Sequence, residues 1–461
     1  MILSRDLAES AVDAAGALDG CIALVRESSE ANLRWARNTL TTTGESRSRE
    51  ITLVGFRRGP GGMATATASL SSPEPADLPA LAGRLESALA GAAPAEDAAP
   101  LLSGESQGAW APSAPHTDGS VFSETSGELG HLLRSALDRD VELFGYAEHS
   151  VHATWLASST GLRCHHVQPQ GRLEITAKSH GRTRSAWWGT ATDNFGDIDW
   201  SGAEHALHQS LAWQARDWDI APGRHRVILS PGAVGDLMVD LWWSATARDA
   251  VEGRSVFSAP HGGTRLGESL SDLPLNLVSD ARDPVIPAAP FLASAASSDH
   301  ASAFDSGAPL DRVGWIRDGR LSALMASRRF AEDHGLPFVA SPDTLRLEAT
   351  ASRGGVADLV RDVDEGLVIT CLWYNRVVDP QTLLLTGLTR DGVFVVRDGE
   401  VVGSTGNFRF NDSPVDLLGR IRRAGTTART LPREMGDYAP RVAMPPLDVT
   451  DFHLSTRSDA R

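Results

Sequence analysis

The sequence predicts an α+β protein, with an N-terminal α/β layer domain over 1–220 and a β-rich, mainly antiparallel C-terminal domain over 221–461. Two observations carry this. First, residues 304–414 alternate apolar and polar side chains in the short runs Arg312 to Ile316, Gly366 to Trp373, Thr382 to Leu388 and Gly392 to Arg397. Asp318-Gly319, Arg390-Asp391-Gly392 and Asp398-Gly399 separate them. Period-two alternation with Asp-Gly punctuation marks antiparallel hairpins, because type I′ turns need positive φ at both central residues. Second, the first 90 residues order as helix, several strands and helix, without regular βαβ alternation.

Ser4 to Leu18 is spaced as an amphipathic helix. Extended runs follow at Cys21 to Glu27, Asn32 to Thr42, Glu50 to Arg58 and Met63 to Leu70, then a helical run at Leu78 to Leu89. Residues 91–120 are rich in Ala, Pro, Ser and Gly and predict an exposed connection. A helix over Ser126 to Leu137 leads into strands near Val141 to Ala147, Ser150 to Ser158, Arg163 to Gln168, Arg172 to Lys178 and Arg184 to Gly189. The helix Gly202 to Trp218 closes this part. No internal repeat of fixed period is present.

With 461 residues and 41% hydrophobic content the chain can bury a sizeable core. A formal net charge of −16 and a pI near 5.3 argue against a nucleic-acid partner, which would require a concentrated basic surface. Cys21, Cys164 and Cys371 are odd in number and widely spaced, so a disulfide framework is not expected. Neither a signal peptide nor a membrane-spanning apolar run is visible, and the expected location is the cytoplasm.

Several clusters invite chemistry. His205 and His208 sit three apart on one helical face, a metal-compatible spacing without a third ligand nearby. Cys164, His165 and His166 are consecutive, but a strand turns alternate side chains to opposite faces, so at most Cys164 and His166 share a side. The acidic loop Asp193 to Asp199 lacks calcium-loop spacing and fits a turn before a helix. Gly59-Pro60-Gly61-Gly62 and Ser352-Arg353-Gly354-Gly355 lack the Lys-Ser/Thr ending of a phosphate loop. No serine lies in a Gly-x-Ser-x-Gly elbow.

Four words stand in order in the C-terminal half: Phe304-Asp305-Ser306-Gly307, Gly366-Leu367-Val368-Ile369-Thr370, Val378-Asp379-Pro380-Gln381-Thr382 and Gly403-Ser404-Thr405-Gly406-Asn407-Phe408. With the upstream runs Val227 to Pro231 and Gly253 to Phe257, they resemble the TldD/PmbA (TldE) metallopeptidase family over about 202–419. That resemblance implies a peptidase of two related subunits acting on small peptides. Its catalytic subunit carries a His-Glu-x-x-x-His word on the helix after the Val227-type strand, and a cysteine ligand near the C-terminus. Two imidazoles and a thiolate would hold zinc, with the Glu as general base.

Here the corresponding helix reads Leu237 to Ala245, and Val239, Asp240 and Ser244 stand at the motif positions to within one residue of register. No histidine lies between His225 and His261, and Cys371 is the last cysteine. The resemblance therefore implies a TldE/PmbA-like noncatalytic subunit without a metal or catalytic residues of its own. Zinc would belong to a TldD-like catalytic partner, and an unfolded peptide would be the substrate. On the same helix Leu237, Met238, Leu241, Trp242 and Ala245 make an apolar stripe. Trp242 and Trp243, with Tyr374, Arg376 and Asn407, are the candidate contacts for peptide or partner. The alternatives are a stand-alone homo-oligomeric peptide-binding or maturation protein, possible as a homodimer, and an enzyme using scattered donors such as His205 and His208.

Overall fold

The computed structural model describes residues 2–104, 108–350 and 352–458. The N-terminal part is one antiparallel sheet with strands β1 (Gly20–Ala36), β2 (Thr39–Gly59), β3 (Gly62–Ser71), β4 (Glu142–Ser158), β5 (Arg163–Ser179) and β6 (Arg184–Thr192). Their spatial order is β3-β2-β1-β4-β5-β6. Helices α1 (Ser4–Ala14), α2 (Leu78–Ala90), α3 (Ser126–Asp138) and α4 (Trp200–Trp213) contribute the cores built on the face that carries Ala23, Val25, Ala31 and Trp35. Odd-numbered residues of β1 meet the helices because strand side chains alternate. Ile22 and Leu24 point the other way, into a core shared with Phe291 and Phe304.

The sequence divides these strands more finely than the structure does. The run Asn32 to Thr42 is the meeting of β1 and β2 around Arg37-Asn38, whose φ values of 51° and 61° form the hairpin turn without glycine. The two runs predicted in 141–158 are the single strand β4, and those in 163–178 are the single strand β5. Their polar middles misled the pattern; His149, for example, is buried and bonded to Thr117 Oγ1 and the Asp193 carbonyl, each at 2.8 Å. Helix α1 stops four residues short of Leu18, and α4 ends at Trp213 rather than Trp218. The connection over 91–120 runs against the sheet: the Trp155 indole donates to the Ala111 carbonyl at 2.8 Å, and Ser29 Oγ accepts from Thr117 N at 2.9 Å. Its residues 105–107 lie outside those described.

The C-terminal part contributes β7 (Gly223–Leu229), β8 (Leu275–Ser279), β9 (Val313–Arg317), β10 (Arg320–Leu321) and β11 (Leu345–Ala349). It continues with β12 (Glu365–Asp379), β13 (Leu384–Arg397), β14 (Glu400–Thr405), β15 (Asn407–Asp412) and β16 (Ile421–Ala424). The last strands are β17 (Ala428–Thr430), β18 (Val442–Met444) and β19 (Leu447–Ser458). One sheet has the order β10-β9-β8-β11-β18-β17. In the other, β12-β7-β19-β15-β13 closes on itself through the β12–β13 pairing, with β14 and β16 attached outside the ring. Pairing is mostly antiparallel; β7 with β12 and β11 with β18 are parallel.

Helix α5 (Pro231–Trp243) lies between barrel and sheet, in a core that joins Leu229, Leu277, Trp315, Ile369 and Phe410. Asp318-Gly319 and Asp398-Gly399 turn hairpins as predicted, with φ of 47° and 77° and of 50° and 80°. Arg390-Asp391-Gly392 does not. It lies inside β13, where Asp391 (φ 54°) and Gly392 (φ 150°) accompany a register shift against Ile369 and Cys371. The partner strand continues past this point, so an extra residue becomes a bulge and no hairpin forms. Edge strands β3, β10 and β14 already exchange backbone bonds with residues 95, 267–268 and 216–218.

Candidate functional site

Helix α5 begins where the sequence can start one: Ser230 caps it, Oγ accepting from Ala233 N at 3.2 Å, and Pro231 occupies the first turn. Ser230 Oγ also donates to the Thr370 carbonyl at 2.6 Å, which ties the helix start to β12. The predicted stripe is buried, and so are Ala233, Val234, Gly235 and Val239. The helix is therefore apolar nearly all round, as befits one enclosed between two sheets.

Of the motif positions, Val239 is fully enclosed in the core and Ser244 ends the helix, its Oγ donating to the Asp240 carbonyl at 2.9 Å. Asp240 is mostly buried, and its Oδ2 has no hydrogen-bond partner. Its carboxyl is pushed up to about 7, chiefly by burial and with nearby Glu434 adding, while Arg376 opposes. One turn earlier Asp236 is wholly buried and accepts the backbone N–H groups of Arg433, Glu434 and Met435 at 3.3, 2.9 and 3.0 Å. Burial also drives this carboxyl well above its ordinary range, the three donors offsetting only part. Asp236 thereby pins residues 433–435 across the helix.

That covering loop gathers the candidate residues. Glu434 accepts from Tyr374 N at 3.0 Å and from Arg376 Nη1 at 3.1 Å, and the Arg376 guanidinium lies over the Tyr374 ring at 4.4 Å. Trp243 meets Tyr438 edge-on at 6.2 Å. Trp242 is 6% exposed, and its Nε1 donates to Ser341 Oγ at 3.0 Å. Both tryptophans line a cavity of about 390 Å³ with Leu292, Met325 and the polar His300 and Asp343. Trp242, Trp243, Tyr374 and Arg376 are thus grouped around α5 and its cover. Asn407 is not part of this group: it opens β15, pairs with Ser458 and accepts from Thr389 Oγ1 at 3.3 Å. Sequence reasoning missed Asp236, Arg433, Glu434 and Tyr438; the only signal was a second carboxylate inside an apolar helix.

The remaining clusters resolve into local structure. His208 Nε2 lies 3.5 Å from Glu204, which also accepts from Ser135 Oγ at 2.5 Å. His165 bonds to the Ala109 carbonyl at 2.8 Å and His166 to Gln168 at 3.0 Å. Asp199 caps α4, accepting from Gly202 N at 2.8 Å, while Arg429 bridges Asp193 and Asp197. Cys21, Cys164 and Cys371 are buried, and no disulfide joins them. Among the described residues no group of three or more His, Cys, Asp or Glu is disposed to hold a metal ion. Zinc of the metallopeptidase type does not fit α5, where Val239 and Ser244 offer no nitrogen donor.

An antiparallel sheet backed by helices, joined to a barrel and second sheet that enclose one helix, defines an α+β protein. The pattern described as the PmbA/TldA metallopeptidase C-terminal domain matches residues 222–455, just over half of the sequence, and the chain belongs to the PmbA/TldD family. TldE from Thermococcus kodakarensis has a similar structure, with a TM-score of 0.78 and 15% identity over 98% of this chain and 99% of that one. A putative modulator of DNA gyrase from Thermotoga maritima gives 0.74 and 16%, covering 96% and 99%. One from Bacteroides thetaiotaomicron, described likewise, gives 0.76 and 13%, covering 97% and 98%. A search of curated proteins finds no match.

Proposed function

We propose that this chain is the noncatalytic, TldE/PmbA-like subunit of a two-subunit zinc metallopeptidase that processes or degrades small unfolded peptides. The observation that carries this reading is α5: a family helix holding Val239, Asp240 and Ser244 where catalysis would need imidazoles and a glutamate, closed over by residues 433–435. A TldD-like partner would hold the zinc, and this chain would supply surface. Tyr374, Val377, Val378 and Tyr438 are 58%, 47%, 56% and 70% exposed, an apolar set suited to a partner. The cavity beside Trp242 and Trp243 would seat an apolar side chain of the peptide, while strand pairing would grip its backbone with little demand on sequence. Among the described residues no helix is long and apolar enough to cross a membrane, and we place the assembly in the cytoplasm.

The test combines metal analysis with reconstitution. The purified chain should contain no stoichiometric zinc and cleave no unfolded peptide, whereas mixing with a TldD-type subunit should yield a complex by light scattering and restore cleavage. One tightly held zinc per chain, or a partner equally active alone without forming a complex, would overturn the reading.

A further inference from the structure

Between the N-terminal sheet and the barrel lies a cavity of about 310 Å³, away from the tryptophan cavity. Phe144, Thr176, Lys178 and Arg182 line it from one side, and Arg390, Asp391 and Arg433 from the other. Four cations against one carboxylate is an unusual balance for a chain of formal net charge −16. Two of the cations are matched. Arg182 Nε donates to Glu142 at 2.6 Å, and Arg433 pairs with Asp391, which also accepts from Ser185 Oγ at 2.6 Å.

The other two are matched only in part. Lys178 feels Glu142 only at longer range, without a direct ion pair among the described residues. Arg390 Nε is buried, makes no hydrogen bond, and lies 3.6 Å from an Asp391 already committed to Arg433 and Ser185. The Arg390 guanidinium sits 5.5 Å from the Trp373 ring centroid, an aromatic surface that orients the fork before any ligand arrives. Concave sites lined by one sign of charge concentrate counter-ions, and a site between two structural parts is a usual place for a ligand.

We propose that this cavity binds a carboxylate of a peptide, with Arg390 supplying the planar fork and Lys178 the point charge. Phe144 and the Thr176 methyl give apolar wall to the carbon chain bearing the carboxylate, which favours an organic acid over inorganic phosphate. A second cavity shares Arg433 and adds Arg34 and Arg172 together with Glu174 and Asp437, so an extended peptide meets polar surface of both signs beyond the pocket. The inference rests on the peptide-handling reading, and its test needs no partner subunit.

Calorimetric titration of the purified full chain would compare an N-acetylated tetrapeptide of Ala, Gly and Leu carrying a free C-terminus with its C-terminal amide. An amidated peptide containing one Glu tells a side-chain carboxylate from a terminal one, and inorganic phosphate and acetate serve as competitors. The charge-assisted bonds predict that a carboxylate-bearing peptide binds on the order of tenfold more tightly than the neutral amide. Lys178→Gln and Arg390→Gln should each erase most of that preference, and Lys178→Arg should keep it. Lys178→Gln suffices should Arg390→Gln fail to fold. Equal binding of acids and neutral amide, a preference indifferent to Lys178, or displacement by phosphate as effective as by acetate would overturn the proposal. If the acid preference fails while partner-dependent cleavage holds, only the pocket falls; the reverse result removes only the subunit reading.

Discussion

The family resemblance puts Asp240 within one residue of the general-base position of a catalytic relative, yet its surroundings work against charge. A carboxyl whose pKa rises on folding, here to about 7, binds its proton more tightly in the folded state. Its contribution is therefore fully present below the unfolded value near 4 and is lost as pH climbs through about 7. Asp240→Asn removes this burden: urea titrations should find the variant more stable than wild type by about 1–3 kcal/mol at pH 8, with the difference shrinking by pH 4. A constant difference across that range would mean that Asp240 is ionised without cost. Trp242 tests the packing of the same helix. At 6% exposure with its indole bonded to Ser341, truncation to Ala should cost about 3–5 kcal/mol, and an unchanged melting temperature would refute a packing role.

Legibility at the level of elements followed how local the signal was. Asp318-Gly319 and Asp398-Gly399 could be read as hairpins because the turn chemistry lies in the two residues themselves. Asp391-Gly392 has the same composition and a different fate, decided by β12 running alongside, which no local pattern encodes. The β1–β2 turn was missed because Arg37-Asn38 takes positive φ without glycine. The α5 stripe was legible by its spacing, but its enclosure on the opposite face, and the hold of Asp236 on residues 433–435, arise from segments about 200 positions apart in sequence. Gly399 shows what the turn requires: φ is 80°, and a Cβ there would lie 2.7 Å from the Arg361 carbonyl oxygen. Gly399→Ala should lower stability by about 1–3 kcal/mol in urea melts with little change in slope, through strain at positive φ and the clash. Full stability in that variant would show that the turn relaxes freely.

At the scale of the molecule, the question is what couples the N-terminal sheet to the barrel half. Polar links are present: Arg429 to Asp193 and Asp197, Arg172 to Asp437, and Ser185 to Asp391. Where exposed, such pairs contribute little each. Apolar links are the Trp213–Phe394 ring contact at 4.9 Å and the word Phe304-Asp305-Ser306-Gly307, which the sequence marks without revealing its task. Phe304 is 1% exposed and enters the core formed by Ile22, Leu24, Val54 and Phe56, its ring 4.8 Å from that of Phe56. Asp305 fixes the segment through Arg328 at 2.6 Å, and Ser306 Oγ donates to the Ser294 carbonyl at 2.5 Å. The word thus plugs one half of the molecule into the other. Phe304→Ala should cost about 3–5 kcal/mol through lost contacts and a residual cavity. Because the loss falls on the junction, calorimetry should resolve two melting steps where the intact chain gives one, the earlier step belonging to the less stable half. Arg429→Gln, which removes a polar link only, should leave a single step. A lone transition at the wild-type temperature in Phe304→Ala would place the coupling elsewhere.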